Sequence, residues 1–271
     1  MPGGRVSLTS HAPPDMSNRK IVDARRTIGA VIWHAVSWSR LREDLRELPV
    51  FLRMAAALRR ASAQGRETLG VLLRQQTERI PEKVLLRFEN EVVTYGEYNA
   101  GVNAFAAVLR QAGIGSGEPV ALMMENSPTL LMGQGAVAKT GSVGALINTL
   151  LRGTPLSHVL RTSRARHVFV DEACLPQVLE LPDAVTYTVW AQGNARSLPP
   201  HVEPLDAALA AASRQEPDLP DLRGRHLFLY IYTSGTTGFP KAAIVRHSRF
   251  TMAGLALSGL LGIGADDTIY A

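Results

Sequence analysis

The rhythm of apolar and polar positions changes near Glu67, and the change divides the chain into three parts. Residues 1–18 are rich in Gly, Pro and Ser and are read as a disordered leader. Residues 19–66 mix apolar and basic positions at roughly helical spacing, with Pro49 separating two segments, so two amphipathic helices are expected within Ile21 to Arg60. Residues 67–271 alternate helical and β-rich stretches and read as one domain.

In that third part the boundaries carry their own chemistry. Glu67–Arg79 reads as a helix stopped by Pro81, and Val84–Phe88 with Val92–Thr94 reads as a hairpin turning at Glu89-Asn90. Thr94 with Glu97 forms a capping box for a helix that ends at Gly113. Pro119–Met124 is a buried strand, Ser127-Pro128 an N-cap with an N1 proline, Val143–Ile147 a strand, Thr154-Pro155 a cap and helix start, and His167–Val170 a further strand. Ala191–Arg225, with several prolines, is expected to run irregularly over the surface before a strand at His226–Tyr232. Such alternation predicts an α/β fold with a mostly parallel sheet flanked by helices.

Composition narrows the function. The 271 residues are 46% hydrophobic and 20% charged, with a formal charge of +5. Arg19–Arg60 holds ten Lys or Arg against four Asp or Glu, so this stretch carries the excess and the remainder is about neutral. That distribution, with no zinc spacing or aromatic-Gly motif, argues against nucleic acid as a partner. The basic stretch carries Trp33, Trp38, Phe51 and Leu52, which would suit an anionic membrane surface, but basic helices more commonly pack on a main domain or stand solvated. Its apolar runs, Gly29–Trp38 and Leu48–Leu58, are shorter than the ~20 residues a bilayer span requires. A single cysteine, Cys174, builds neither an internal disulfide nor a cysteine metal site, so Cys174 and His167 are read as structural.

Two glycine clusters invite a dinucleotide reading and fail it. Gly113, Gly115 and Gly117 stand where a helix leads into a strand, the reverse of the required order. Gly133, Gly135 and Ala138 lie inside the helix opened by Pro128. The segment Tyr230–Val245, YIYTSGTTGFPKAAIV, is different. A β-rich run enters six residues limited to Thr, Ser and Gly, then Pro240, Lys241 and a second β-rich run. Hydroxyls from Thr233, Ser234, Thr236 and Thr237, with backbone N–H groups made approachable by Gly235 and Gly238, suit a polyphosphate. Lys241 adds a positive charge. The common NTPase loop is excluded, because G-x-x-x-x-G-K-[ST] is absent and Ala242–Val245 reads as strand where that loop leads into a helix. His247 with Ser248 reads as the cap of a following helix, and Asn148, closing a strand, is a residue that would face a ligand cleft.

TSGTTGFPK resembles the signature of the adenylate-forming, AMP-binding superfamily. The longer YIYTSGTTGFPKAAIVRHSRF, together with Met124–Val170, is similar to its fatty acid transport protein and very-long-chain acyl-CoA synthetase branch. The resemblance covers most of Glu67–Ala271 and implies part of the large N-terminal domain of such an enzyme. By that resemblance, a fatty carboxylate attacks the α-phosphate of ATP, pyrophosphate leaves, and coenzyme A converts the acyl-adenylate to a thioester. Tyr232, Thr233, Ser234, Gly235, Thr236, Thr237, Gly238 and Lys241 are then the nucleotide-binding residues. A Mg2+ ligand, the catalytic lysine and a C-terminal domain are expected beyond Ala271, so no catalytic residue is assigned here and a chain ending there is expected to be inactive alone. A new strand is expected to begin at Asp266–Ala271. The resemblance also implies fatty acid, ATP and CoA as partners and a cytoplasmic location, peripheral to the inner face of a membrane on the uptake reading. Two alternatives stand beside a long-chain or very-long-chain ligase. One is a ligase for another bulky hydrophobic acid, such as a sterol side chain, and the other is a protein acting chiefly in fatty acid uptake at a membrane.

Overall fold

Val120, Ala121, Leu122 and Met123 are four successive residues, all but fully buried, whose side chains alternate between two separate cores. A strand buried on both faces belongs inside a parallel sheet covered on each side, and the computed structural model has that arrangement. It describes residues 55, 58, 59, 61–193, 198–233, 239–261, 263 and 267–269. The leader and the two basic helices lie almost wholly outside the described residues. All the described residues fall in the unit Met54–Ala271.

The elements run α1 Leu69–Arg79, β1 Val84–Phe88, β2 Glu91–Thr94, α2 Tyr95–Gln111, β3 Pro119–Met123, α3 Pro128–Thr140, β4 Val143–Leu146, α4 Gly153–Ser163, β5 His167–Val170, α5 Leu175–Leu179, β6 Thr188–Ala191, β7 Val202–Pro204, α6 Leu205–Ala211, β8 Leu227–Thr233, β9 Lys241–Arg246 and α7 His247–Leu261. β1 and β2 form the expected antiparallel hairpin. The other seven strands form one sheet in the order β7-β6-β5-β3-β4-β8-β9. It is parallel throughout except for β9, which runs antiparallel to β8 along its edge.

Local signals set most boundaries. The Thr94 hydroxyl accepts from the Glu97 amide at 3.2 Å, while the Glu97 carboxylate accepts from the Thr94 amide at 2.8 Å, completing the capping box of α2. Ser127 caps α3 through the Leu130 amide, with Pro128 in its first turn. Gly113 and Gly117 turn the chain at φ +77° and +82°. Gly133 and Gly135 lie within α3, and a Cβ at Gly135 would stand 2.6 Å from Val102 Cγ2 on α2. That pair of helices therefore packs closer than any larger residue permits.

Three local readings are corrected. α4 begins at Gly153 with Arg152 at its N-cap position and no side-chain cap, so Thr154 falls inside the first turn. The segment after Ala191 is more regular than its prolines suggest, since it adds β7 to the sheet edge and α6, whose Leu205 is fully buried. β6, Thr188–Ala191, is a strand outside the expected set, although Thr188, Val189 and Trp190 are all residues that favour strands. The strand expected from Asp266 is not formed over Asp267–Ile269.

Lys139 on α3 ties that segment down. Its side chain is fully buried, and its ammonium donates to Asn99 Oδ1 and Asn103 Oδ1 on α2, each at 2.7 Å, and to Glu216 at 2.6 Å. Asn99 and Asn103 also donate to Glu216. Burial pulls the ammonium below its ordinary pKa, against the opposing pull of Glu216. Burial alone would raise the Glu216 carboxyl, but the bonds from Lys139, Asn99 and Asn103 outweigh it and hold it below the carboxylate range. Every donor of the ammonium is thereby matched, which is what makes a buried charge tolerable.

Removing one member leaves the others uncompensated. Lys139→Met is expected to cost about 3 kcal/mol in denaturant unfolding, the low end for breaking a buried pair because Glu216 retains some solvent contact. A depressed carboxylate contributes stability above its unfolded pKa and loses it as acid protonates the folded form. Glu216→Gln should therefore lower stability at neutral pH and flatten the acid limb of the stability profile.

Candidate functional site

β3 and β4 are neighbours in register, Val120 beside Gly144 and Leu122 beside Leu146. The helix after β3, α3, packs into the core containing Val120 and Leu122. The helix after β4, α4, packs into the opposite core with Ala121, Met123 and Ala145. The chain then returns to the far side of β3 as β5. The crossovers thus leave on opposite faces, and the seam between them at the carboxyl ends of the strands is covered by neither.

A cleft of about 660 Å³ occupies that seam. Leu122, Ile147 and Ile231 supply apolar surface, while Glu125, Gln134 and Asn148 supply polar groups. This size and mixture suit a small-molecule site. Asn148 does line the cleft, and its Oδ1 accepts from the Leu150 amide at 2.8 Å, folding the end of β4 into a tight turn. Asp171, after β5, accepts from the Glu125 amide at 2.6 Å and the Cys174 amide at 2.8 Å, which braces one rim. Glu125, Asn126 and Gln134 escaped the motif reading because nothing in their spacing is distinctive. Their position just past a strand's carboxyl end was the available signal.

The Thr/Ser/Gly segment joins β8 to β9. Thr233 and Lys241 are register partners, so the seven residues 234–240 close a hairpin whose stem lies beside the cleft. Tyr232 lines the cleft, half-buried, and Thr233 and Lys241 are exposed at the mouth of the hairpin. Ser234, Gly235, Thr236, Thr237 and Gly238 lie outside the described residues. The Tyr232 phenol sits against the Thr162 and Ser163 hydroxyls of α4, and burial raises its pKa. Its oxygen finds no well-aligned hydrogen-bond partner among the described residues.

Remaining candidates fall outside the cleft. Burial pushes the Cys174 thiol up to about 12, so it is an inert core thiol. His167 accepts from the Trp190 indole at 3.3 Å and is lowered by burial. His247 does open α7, but its ring does not cap it. The imidazole is fully buried, stacked on Phe228 at 4.8 Å, and neither nitrogen has a hydrogen-bond partner among the described residues. Among the described residues no group of three His, Cys, Asp or Glu converges to hold a metal ion. No helix among them is long and apolar enough to cross a membrane.

A parallel sheet with a cleft at its crossover seam, flanked by a Thr/Ser/Gly hairpin and an edge strand of opposite sense, defines the N-terminal part of an adenylate-forming ligase domain. The chain belongs to the AMP-binding enzyme family, whose model matches residues 73–271. It is 30% identical over 235 residues to the medium/long-chain-fatty-acid–CoA ligase FadD6 of Mycobacterium tuberculosis, covering 86% of this chain and 38% of that protein. It is 33% identical over 216 residues to human long-chain fatty acid transport protein 1, covering 77% of this chain and 33% of that protein. A crystallised Mycobacterium tuberculosis fatty acyl CoA synthetase superposes with a TM-score of 0.57 at 27% identity, covering 66% of this chain and 34% of that one. The relatives belong to the fatty acid transport protein and very-long-chain synthetase branch, and the chain spans about a third of their length.

The buried histidine yields a pH test. Burial lowers the His247 pKa from 6.5 to about 4, so below 6.5 the unfolded chain takes up a proton that the folded chain refuses. Stability should fall by about 3 kcal/mol as pH drops from 6.5 to 4, at about 1.4 kcal/mol per pKa unit. Denaturant unfolding across that range should show the slope in the wild type and a smaller one in His247→Leu.

Proposed function

We propose that this chain supplies the ATP-phosphate grip of an ATP-dependent fatty acid:CoA ligase acting on long or very long chains. The observation that carries the proposal is the hairpin whose stem pairs Thr233 with Lys241 beside a cleft at the sheet's crossover seam. On this reading Tyr232–Gly238 and Lys241 hold the β- and γ-phosphates. Their task is to orient the nucleotide so that the acid's carboxylate meets the α-phosphate in line. Hydrogen bonds to a charged phosphate contribute about 1.5–3 kcal/mol each, so three or four suffice to hold the chain of phosphates. The ionised carboxylate is itself the nucleophile and needs no base from this chain. Mg2+ would neutralise phosphate charge when bound, and its ligands are not assigned to these residues. Coenzyme A is the second substrate. The leader at 1–18, the basic region at 19–66 and the domain portion at 67–271 are the proposed division of labour, in a protein working in the cytoplasm.

A second reading, uptake of fatty acid at a membrane surface, is favoured by relatives named as transport proteins and by the basic stretch Arg19–Arg60. Conversion of an acid to its CoA ester traps it inside a cell, so the two readings are compatible.

The test is fatty-acid-dependent ATP–pyrophosphate exchange by the longest polypeptide the gene encodes. Exchange with long and very long acids is expected, and Lys241→Ala should lower kcat/KM for ATP by about 10- to 100-fold, the worth of one charged hydrogen bond. Exchange supported by no acid of any chain length would remove the ligase reading, and exchange with sterol-type acids alone would redirect it.

A further inference from the structure

Neighbouring residues of a regular strand point to opposite faces. Leu85 and Leu86 of β1 nevertheless line one cavity. The pairing of β1 with β2 slips between Val84 and Leu86, and the extra residue of such an irregularity re-aims its side chain. The cavity measures about 360 Å³, within the range of small-molecule sites. A second wall is α1, where Leu69, Leu72, Leu73 and Gln76 follow the i, i+3, i+4, i+7 spacing of one helical stripe. At a third, the Tyr98 phenol of α2 donates to the Leu131 carbonyl of α3 at 2.7 Å and ties the two helices together.

Leucine dominates the lining, yet Leu85 and Leu131 remain 37% and 39% exposed, so apolar surface of the cavity stands uncovered. Two polar groups interrupt it, the Gln76 amide and the Tyr95 hydroxyl, and neither makes a side-chain hydrogen bond among the described residues. The Thr77 hydroxyl, next to Gln76 in the chain, lies 3.5 Å from the Tyr95 carbonyl oxygen, which puts both groups at the same end. Arg79, three residues beyond Gln76 on α1, is exposed and has no ion pair among the described residues. Helical residues at that spacing have Cβ atoms ~5–6 Å apart, so a cation can reach a group held at Gln76. An apolar body with donors and a positive charge at one end matches a hydrocarbon chain that terminates in a carboxylate. Its length follows from the volume. An apolar cavity of about 150 Å³ takes a six-carbon ring, so this one has room for roughly 10 to 14 carbons.

We propose that this cavity is a binding site for a medium-chain fatty acid, with the tail among the leucines and the carboxylate at Gln76, Tyr95 and Arg79. It is separate from the cleft at the crossover seam. The two share no lining residue, and α3 presents Leu130 and Gln134 to the cleft but Leu131 to the cavity. The assignment does not depend on the phosphate-grip reading, because it uses none of the residues of the β8–β9 hairpin.

The experiment uses the longest encoded polypeptide without ATP, and dodecanoate carrying a photoreactive diazirine at its tail end. Irradiation followed by residue-level peptide mapping should place the label on residues 69–73, 85–86 and 131. Leu85→Asp and Leu131→Trp stand at positions more than a third exposed, where the fold tolerates change. Each should cut that labelling about 10-fold or more with the melting temperature unchanged, and should one fail to fold the other carries the comparison. In calorimetry, affinity should rise about fourfold per added methylene from octanoate to dodecanoate. It should stop rising beyond about 14 carbons, where the cavity is full. Arg79→Ala should weaken dodecanoate about 3- to 10-fold and leave dodecanol, which carries no charge, unchanged. Label confined to the residues lining the cleft, full labelling in both Leu85→Asp and Leu131→Trp, or no saturable labelling at all would overturn the proposal. None of these outcomes touches the ligase reading, which stands or falls on ATP–pyrophosphate exchange.

Discussion

Two neighbouring parallel strands whose crossovers leave on opposite faces cannot both have their carboxyl ends covered. β3 and β4 are such a pair, because α3 must reach β4 over one face and α4 must reach β5 over the other. The uncovered seam is a consequence of connectivity and handedness, not of any particular side chain. It places Asn148, Glu125 and Tyr232 around one cavity although they are distant in sequence.

The two cores on either side of this sheet are held differently. On the α4 side the packing is aliphatic, from Leu156, Val159, Leu160 and the valines of β5. On the α2–α3 side, the Phe105 ring tilts against Phe169 at 5.2 Å, Phe169 stacks on Trp190 at 5.7 Å, and the Lys139 cluster adds a charged anchor. That anchor joins helices to a proline-rich segment that has little apolar surface of its own. It shows how an otherwise irregular stretch acquires a defined place.

Much of this was legible in advance where a side chain and its backbone partner lie within a few residues. Thr94 with Glu97, Ser127 with Pro128, and the β1–β2 turn all announce themselves, because caps and turns are local chemistry. Legibility fails where the determinant is remote. Nothing local in the sequence marks Lys139 as buried, because its partner Glu216 stands 77 residues later. β7 is three residues long and α6 begins after Pro204 with no side-chain cap, so neither leaves a periodic or capping trace. His247 looks like a polar helix start, and only the docking of α7 over Phe228 shows its ring to be core. The signature loop pointed to the right family because its composition is rare, but the residues lining the cleft beside its stem, Glu125 and Gln134 among them, carry no sign of it in sequence.

The register match of Thr233 with Lys241 has a further meaning for how such a protein changes over time. A hairpin at the sheet's edge is closed by contacts near in sequence, and its antiparallel strand adds no crossover that other strands must accommodate. Residues inserted, deleted or exchanged between those two partners leave the pairing of the parallel strands untouched. Sequence change at this edge can therefore be accommodated at a different tempo from change in the scaffold, and a graft of a related loop between the same two positions would inherit the stem unaltered.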